Sequence, residues 1–223
     1  MIPLKDDAPC YTFPFVTLSI IAINILVYIY QLTLGYGGEE LFIYRTAAIP
    51  YEVTHFVDIF PAGVVRPPFT IFTAMFVHEG ILHLGGNMLY LWIFGDNIED
   101  RLGRAGFVIF YLGTGLAASL THIMLSPDSK VPMIGASGAV AGVLGAYFIL
   151  YPRAKVHTLV FLIVFVTVIK ISALYFLGFW FLMQIFSSAF GGGIAWFAHI
   201  GGFIAGALAV KLMPPGGWHA SKQ

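Results

Sequence analysis

Long uncharged runs alternate with short charged punctuation along the chain. The runs are Ala8–Gly38, Ala105–Pro127, Val131–Pro152 and Ile171 up to Lys211. Each meets or approaches the roughly 20 apolar residues needed to cross about 30 Å of hydrocarbon as a helix. The pattern predicts an all-α, polytopic membrane protein, a bundle of six transmembrane helices forming one domain over 1–223. The spans are expected at about 13–34, 81–94, 107–125, 136–151, 171–186 and 195–213. The second could begin nearer Thr70. Between the first two, residues 35–68 interleave Phe42, Tyr44, Tyr51, Phe56 and Phe60 with Glu39, Glu40, Arg45, Glu52, Asp58 and Arg66. That mixture suits a loop lying in the interface, with Tyr44-Arg45 as an anchor. Gly95–Arg104 reads as a short charged turn, Gly191–Gly193 as a flexible turn, and Pro214–Gly217 as the stop of the last span. The apolar piece from His157 to Ile169 is too short to cross and reads as interfacial or re-entrant.

Composition strengthens this picture: 59% of residues are hydrophobic, 10% are charged, and the mean hydropathy is +0.87. These values lie far from those of soluble domains. A net charge of zero gives no reason to expect a nucleic-acid partner. The single cysteine, Cys10, excludes an intrachain disulfide. No A-x-A-like cleavage site follows the first apolar run, so that run reads as a span rather than a leader, and no room is left for a separate soluble domain. With the N-terminus inside and six alternating spans, Lys5, Arg101, Arg104, Arg153, Lys155, Lys170, Lys211 and Lys222 are cytoplasmic. Only Arg45, Arg66 and Lys130 are outside. The asymmetry predicts cytoplasmic termini and an outward-facing loop at 35–68.

Candidate chemistry enters through Ser137, in Gly135-Ala136-Ser137-Gly138, at the head of the fourth span. A lone serine there usually bonds back to a carbonyl one turn earlier. Its neighbours in depth change that reading. At 1.5 Å per residue, Ser137 lies roughly 24 Å above the cytoplasmic face, counted from Arg153. His199, counted from Lys211, lies at roughly 18 Å. His83 and Asn87, counted from Asp96, lie at roughly 20 and 14 Å. Polar groups within a bilayer face one another or a water cavity. His83 and Asn87 share a helix face. Gly138 and Gly142 on span four, with Gly202 and Gly206 on span six, form small-xxx-small faces that permit close approach. Their alternative role is plain helix packing, compatible with the first. A four–six contact brings hydroxyl and imidazole within reach, the minimum for nucleophilic catalysis with histidine as base. Free N–H groups at the helix start, with Asn87 and His83 as donors, would stabilise an oxyanion. No Asp or Glu lies inside spans four to six, so a dyad rather than a triad is expected.

These residues resemble the rhomboid intramembrane serine proteases. The likeness rests on His78 with His83-Leu84-Gly85-Gly86-Asn87, on Glu99-Asp100-Arg101-Leu102-Gly103, on Gly135-Ala136-Ser137-Gly138, and on Ala198-His199-Ile200-Gly201-Gly202 with Gly206. The resemblance implies Ser137 as nucleophile, His199 as base, and His83 and Asn87 at the oxyanion site. It implies hydrolysis of a peptide bond in or near the transmembrane helix of a single-span or other membrane-protein substrate, without cofactor or metal. Span five and the Gly191–Gly193 loop would form the region that moves to admit substrate. Three departures stand out. Tyr44-Arg45 occupies the place of a frequent Trp-Arg. Ala141 replaces an aromatic that some members set beside the histidine. The 157–170 stretch lengthens the fourth connection. By analogy, a compact body without appended domains suggests a prokaryotic plasma membrane.

Two rivals remain at this point. His78-Glu79-Gly80-Ile81-Leu82-His83 superficially resembles the zinc motif H-E-x-x-H, but its histidines are five apart, about 140° round a helix rather than on one face. The second rival is a non-catalytic membrane protein that binds client transmembrane helices. Oligomeric state leaves no mark on the sequence.

Overall fold

The computed structural model describes residues 1–59, 65–161, 166–190 and 193–213. In chain order the elements are strand β1 (Ile2–Lys5) and helices α1 (Phe15–Thr33), α2 (Gly35–Thr46), α3 (Pro50–His55) and α4 (Thr70–Thr73). There follow α5 (Ile81–Leu125), α6 (Ser137–Leu150), β2 (Lys155–Phe161), β3 (Val166–Ser172), α7 (Ala173–Ser188) and α8 (Trp196–Leu212). Short 3-10 turns, Pro67–Phe69 and Ala74–Phe76, flank α4. The chain is mostly helical. Residues 60–64, residues 191 and 192 of the expected glycine turn, the Pro214–Gly217 stop and Lys222 lie outside the described residues.

Among the described residues, two helices are long and apolar enough to cross a bilayer by length and composition, Phe15–Thr33 and Ile81–Leu125. Ser137–Leu150, Ala173–Ser188 and Trp196–Leu212 are apolar but shorter. The expected turn at Gly95–Arg104 is corrected here. The helix runs on through the charged stretch and breaks only at Gly103, where φ is 70° and ψ 165°. Glycine alone adopts that conformation without a Cβ penalty. The charges do not end the helix because the critical one is satisfied. Glu99, 1% exposed, accepts the Val16 and Thr17 amides at 2.9 and 2.7 Å. It thus serves the orphan N–H groups and positive dipole end of α1.

The all-α expectation is corrected too. The described residues of His157 to Ile169 lie in two strands, β2 and β3. These pair antiparallel, with β1 on the other edge of β2. Val156, Thr158, Val160, Thr167, Val168 and Ile169 are β-branched, side chains that fit a pleated surface better than a helix.

The segment between α1 and α4 also has structure of its own in α2 and α3. It is tied to the segment before α6 by reciprocal Ala48–Met133 backbone hydrogen bonds of 3.0 and 2.9 Å.

Helix α6 is the hub. Every residue from Ala139 to Tyr147 is buried, as expected of a helix apolar on all sides. The four glycines divide the packing between two neighbours. A β-carbon on Gly202 or Gly206 would overlap the Gly138 or Gly142 carbonyl oxygen, so α8 lies backbone-to-backbone on α6. Gly138 and Gly142 themselves point at Ala118 and Thr114 of α5. Small residues thus set both contacts of α6.

Candidate active site

Ser137 is the first residue of α6, preceded by Gly135 at φ 109°. That left-handed turn brings the chain up against His83. A β-carbon on Gly135 would sit 2.6 Å from His83 Nε2 and 3.6 Å from Asn87 Nδ2. Only glycine suits both the dihedral and the space. The turn is held by the Gly135 amide, which donates to the Ala74 carbonyl at 2.8 Å. The Ala136 amide donates to His78 Nε2 at 3.4 Å.

His199 sits on the first turn of α8. Its Nε2 lies 2.9 Å from Ser137 Oγ, and its Nδ1 lies 2.8 Å from Gln184 Oε1 on α7. The second contact fixes the tautomer. Gln184 Nε2 already donates to the Trp180 carbonyl at 3.0 Å, which leaves Oε1 as the acceptor facing the ring. Nδ1 therefore carries the proton, and the Nε2 lone pair accepts the serine O–H. Trp180 and Trp196 flank the ring, with centroids 6.1 and 5.9 Å from it. The aromatic neighbours of His199 come from α7 and α8, whereas the fourth position past the serine holds Ala141.

All four sequence-predicted polar residues line one cavity of ≈ 950 Å³, together with Gln184 and both tryptophans. Asn87 is 8% exposed, and its Nδ2 has no hydrogen-bond partner. Within the protein this donor has no acceptor, and it lines the cavity beside Ser137. Glu39, Glu40 and Glu79 also line the cavity. His78 is fully buried beside His83, ring centroids 5.1 Å apart. Its backbone is clamped by Gln31, whose Nε2 donates to the His78 carbonyl at 2.9 Å and whose Oε1 accepts its amide at 3.2 Å. Its Nε2 accepts the Ala136 amide. Among the described residues no group of three His, Cys, Asp or Glu is arranged to hold a metal ion.

Sequence reasoning passed over Gln184 and Gln31. Both are amide side chains in largely apolar runs, Gln31 two turns beyond Asn24 and Gln184 the lone amide of its run. Intramembrane polar residues of that kind mark buried partners, and the signal was there to read.

Comparison with known proteins places this chain in a family. A family profile described as Rhomboid domain matches residues 66–215. Rhomboid protein 1, mitochondrial, of Saccharomyces cerevisiae is 32% identical over 169 residues, covering 71% of this chain and 43% of the relative. Rhomboid protease GluP of Bacillus subtilis is 37% identical over 143 residues, covering 64% and 25%. RHOMBOID-like protein 6, mitochondrial, of Arabidopsis thaliana is 31% identical over 154 residues, covering 66% and 45%. The chain spans less than half the length of each of these relatives.

Proposed function

We propose that this chain, which belongs to the rhomboid family, is an intramembrane serine endopeptidase acting on the transmembrane helix of a membrane-protein substrate. The observation that carries the reading is the Ser137–His199–Gln184 relay, with contacts of 2.9 and 2.8 Å. Ser137 Oγ attacks the scissile carbonyl carbon while its proton passes to His199 Nε2. The carbonyl oxygen becomes an oxyanion met by the Ser137 amide, Asn87 Nδ2 and His83. The C–N bond breaks as His199 returns the proton to the departing amine. Water then attacks the acyl-serine by the same relay and frees the second product. Catalysis here is nucleophilic and general acid–base, with electrostatic stabilisation of the oxyanion.

The membrane arrangement belongs to the same proposal. Six crossings by α1, the two arms of α5, α6, α7 and α8 put both termini in the cytoplasm and residues 35–68 outside. Helix α6 has 14 residues, about 21 Å, which is short of the roughly 30 Å core. With its C-terminal end near the inner surface, Ser137 is recessed below the outer one, where the cavity admits water. The protein is an integral membrane protein. The relatives come from bacteria and from mitochondria, and the mitochondrial ones do not fit the prokaryotic expectation.

A serine-reactive phosphonate, applied to the protein in vesicles, tests the reading. It should label wild type and spare Ser137→Ala, and cleavage of a co-reconstituted single-span substrate should vanish in Ser137→Ala and His199→Ala. A wild type that is neither labelled nor able to cleave would replace this reading with that of a client-binding protein.

A further inference from the structure

The three-stranded sheet has no part in the chemistry above, yet its pairing sorts side chains into ordered rows. On one face, Lys155 sits opposite Ser172, Lys5 and Lys170 flank His157, Ile2 and Val168 flank Leu159, and Phe161 sits opposite Val166. That is a basic end followed by two apolar rows. The other face is turned to protein at its centre: Val156 and Thr158 are 0% exposed, and Val156 joins the main core. The first face is open. Phe161 is 60% exposed, Val166 62% and Val168 48%, and all three lysines are exposed.

A partner for this face must match a cationic zone and an apolar zone in fixed order. A lipid leaflet has that layout, with phosphate headgroups next to acyl chains. The sheet is also anchored at the right place. Ser172 Oγ donates to the Pro152 carbonyl at 2.6 Å, and the Ala173 amide donates to the Ala154 carbonyl at 2.8 Å. Both bonds pin the foot of the hairpin to the end of α6. The first turn of α7, which follows directly on the basic end of the sheet, exposes Leu174 and Tyr175. In water, the open sheet face beside the unpaired edge of β3 would invite aggregation.

We propose that the β1–β2–β3 sheet is a lipid-binding platform on the anionic cytoplasmic leaflet. Lys5, Lys155 and Lys170 meet headgroup phosphates, and Ile2, Phe161, Val166 and Val168 enter the acyl region. The inference rests on the membrane orientation proposed above but not on the proteolytic chemistry.

The test uses the full chain with Cys10→Ser and one of Phe161→Cys, Val168→Cys or Lys170→Cys, each carrying a nitroxide. The protein is reconstituted in phosphatidylcholine vesicles with or without phosphatidylglycerol. Labels at 161 and 168 should prefer dissolved oxygen over a water-soluble nickel chelate severalfold more than the label at 170. Replacing the lysines by Gln should lower the inserted-to-exposed ratio at 161 by about fivefold per lysine in phosphatidylglycerol vesicles. Nickel access at 161 equal to that at 170 overturns the proposal. So does spin–spin broadening between two copies, which would assign the face to self-association, and so does indifference to phosphatidylglycerol. If Phe161→Cys does not fold, Val166→Cys reports on the same row. Phosphonate labelling of Ser137 in each variant tests the proteolytic reading separately, so a sheet left in water and an inert serine are distinct results.

Discussion

Removing the acceptor of Gln184 should disable His199 without touching Ser137. In Gln184→Leu the volume is nearly kept, but the His199 Nδ1 proton loses its 2.8 Å partner in a side-chain environment where Gln184 is 7% exposed. Two effects follow. The neutral ring is no longer held in the tautomer that leaves Nε2 free, so a fraction of molecules present N–H to the serine hydroxyl. The imidazolium formed at the transition state also loses a charge-assisted hydrogen bond worth about 1.5–3 kcal/mol. That range corresponds to roughly ten- to a hundredfold in rate. Because the interaction strengthens only when the ring is charged, the loss belongs in kcat, with KM for a reconstituted substrate little changed. Gln184→Glu keeps an acceptor oxygen and should retain more activity than the leucine variant. The assay is initial-rate cleavage across substrate concentrations in vesicles, with thermal unfolding run in parallel. Activity within twofold of wild type would refute the positioning role. So would a kcat loss that the glutamate variant does not relieve, or one that merely follows a fall in stability.

Other consequences are open to measurement. Gly202→Ala and Gly206→Ala force a β-carbon into the Gly138 and Gly142 carbonyls. The obstacle is backbone, so each should cost about 3 kcal/mol and slow phosphonate labelling as α8 is pushed from α6. Gly113→Ala, with nothing within 4 Å of the new carbon, should instead match or slightly exceed wild type in thermal unfolding. Glu99→Ala abandons the Val16 and Thr17 amides. It should cost about 1–2 kcal/mol and accelerate hydrogen exchange at the start of α1, with Glu99→Gln intermediate. Asp6 accepts the Tyr147 hydroxyl, and burial raises its carboxyl above the ordinary 3.8. A raised folded-state value means its stabilising contribution is complete below pH 3.8 and is lost as pH climbs through the folded value. Asp6→Asn should therefore melt higher than wild type at neutral pH and lose that advantage in acid, as read by thermal scans across pH.

What the sequence disclosed and what it concealed follow from the range of each interaction. The apolar runs and glycine spacings report on which surfaces must be dry and close. That was enough to anticipate α1, α6, α7 and α8 within a few residues, and the approach of α8 to α6. The meeting of Ser137 and His199, 62 residues apart in the chain, was inferable because both are polar groups at similar depth on helices whose glycines permit close approach. The same logic applied to Gln184 would have supplied the third member of the hydrogen-bonded chain. The helix continuing through Asp96–Arg101 was hidden for a different reason. Glu99 is satisfied by backbone amides at the start of α1, and an N–H carries no side-chain signature, so charge there looked like a break. The sheet was obscured by length and composition together. An apolar, β-branched stretch too short to cross satisfies an interfacial helix and a strand equally well until a pairing partner appears. Here the partner is Ile2–Lys5, more than 150 residues upstream. Alternation within Lys155–Phe161 becomes legible only once the face covering Val156 and Thr158 is known. The open face that remains, basic at its foot and apolar beyond, is therefore a property of the pairing register rather than of any single run of residues.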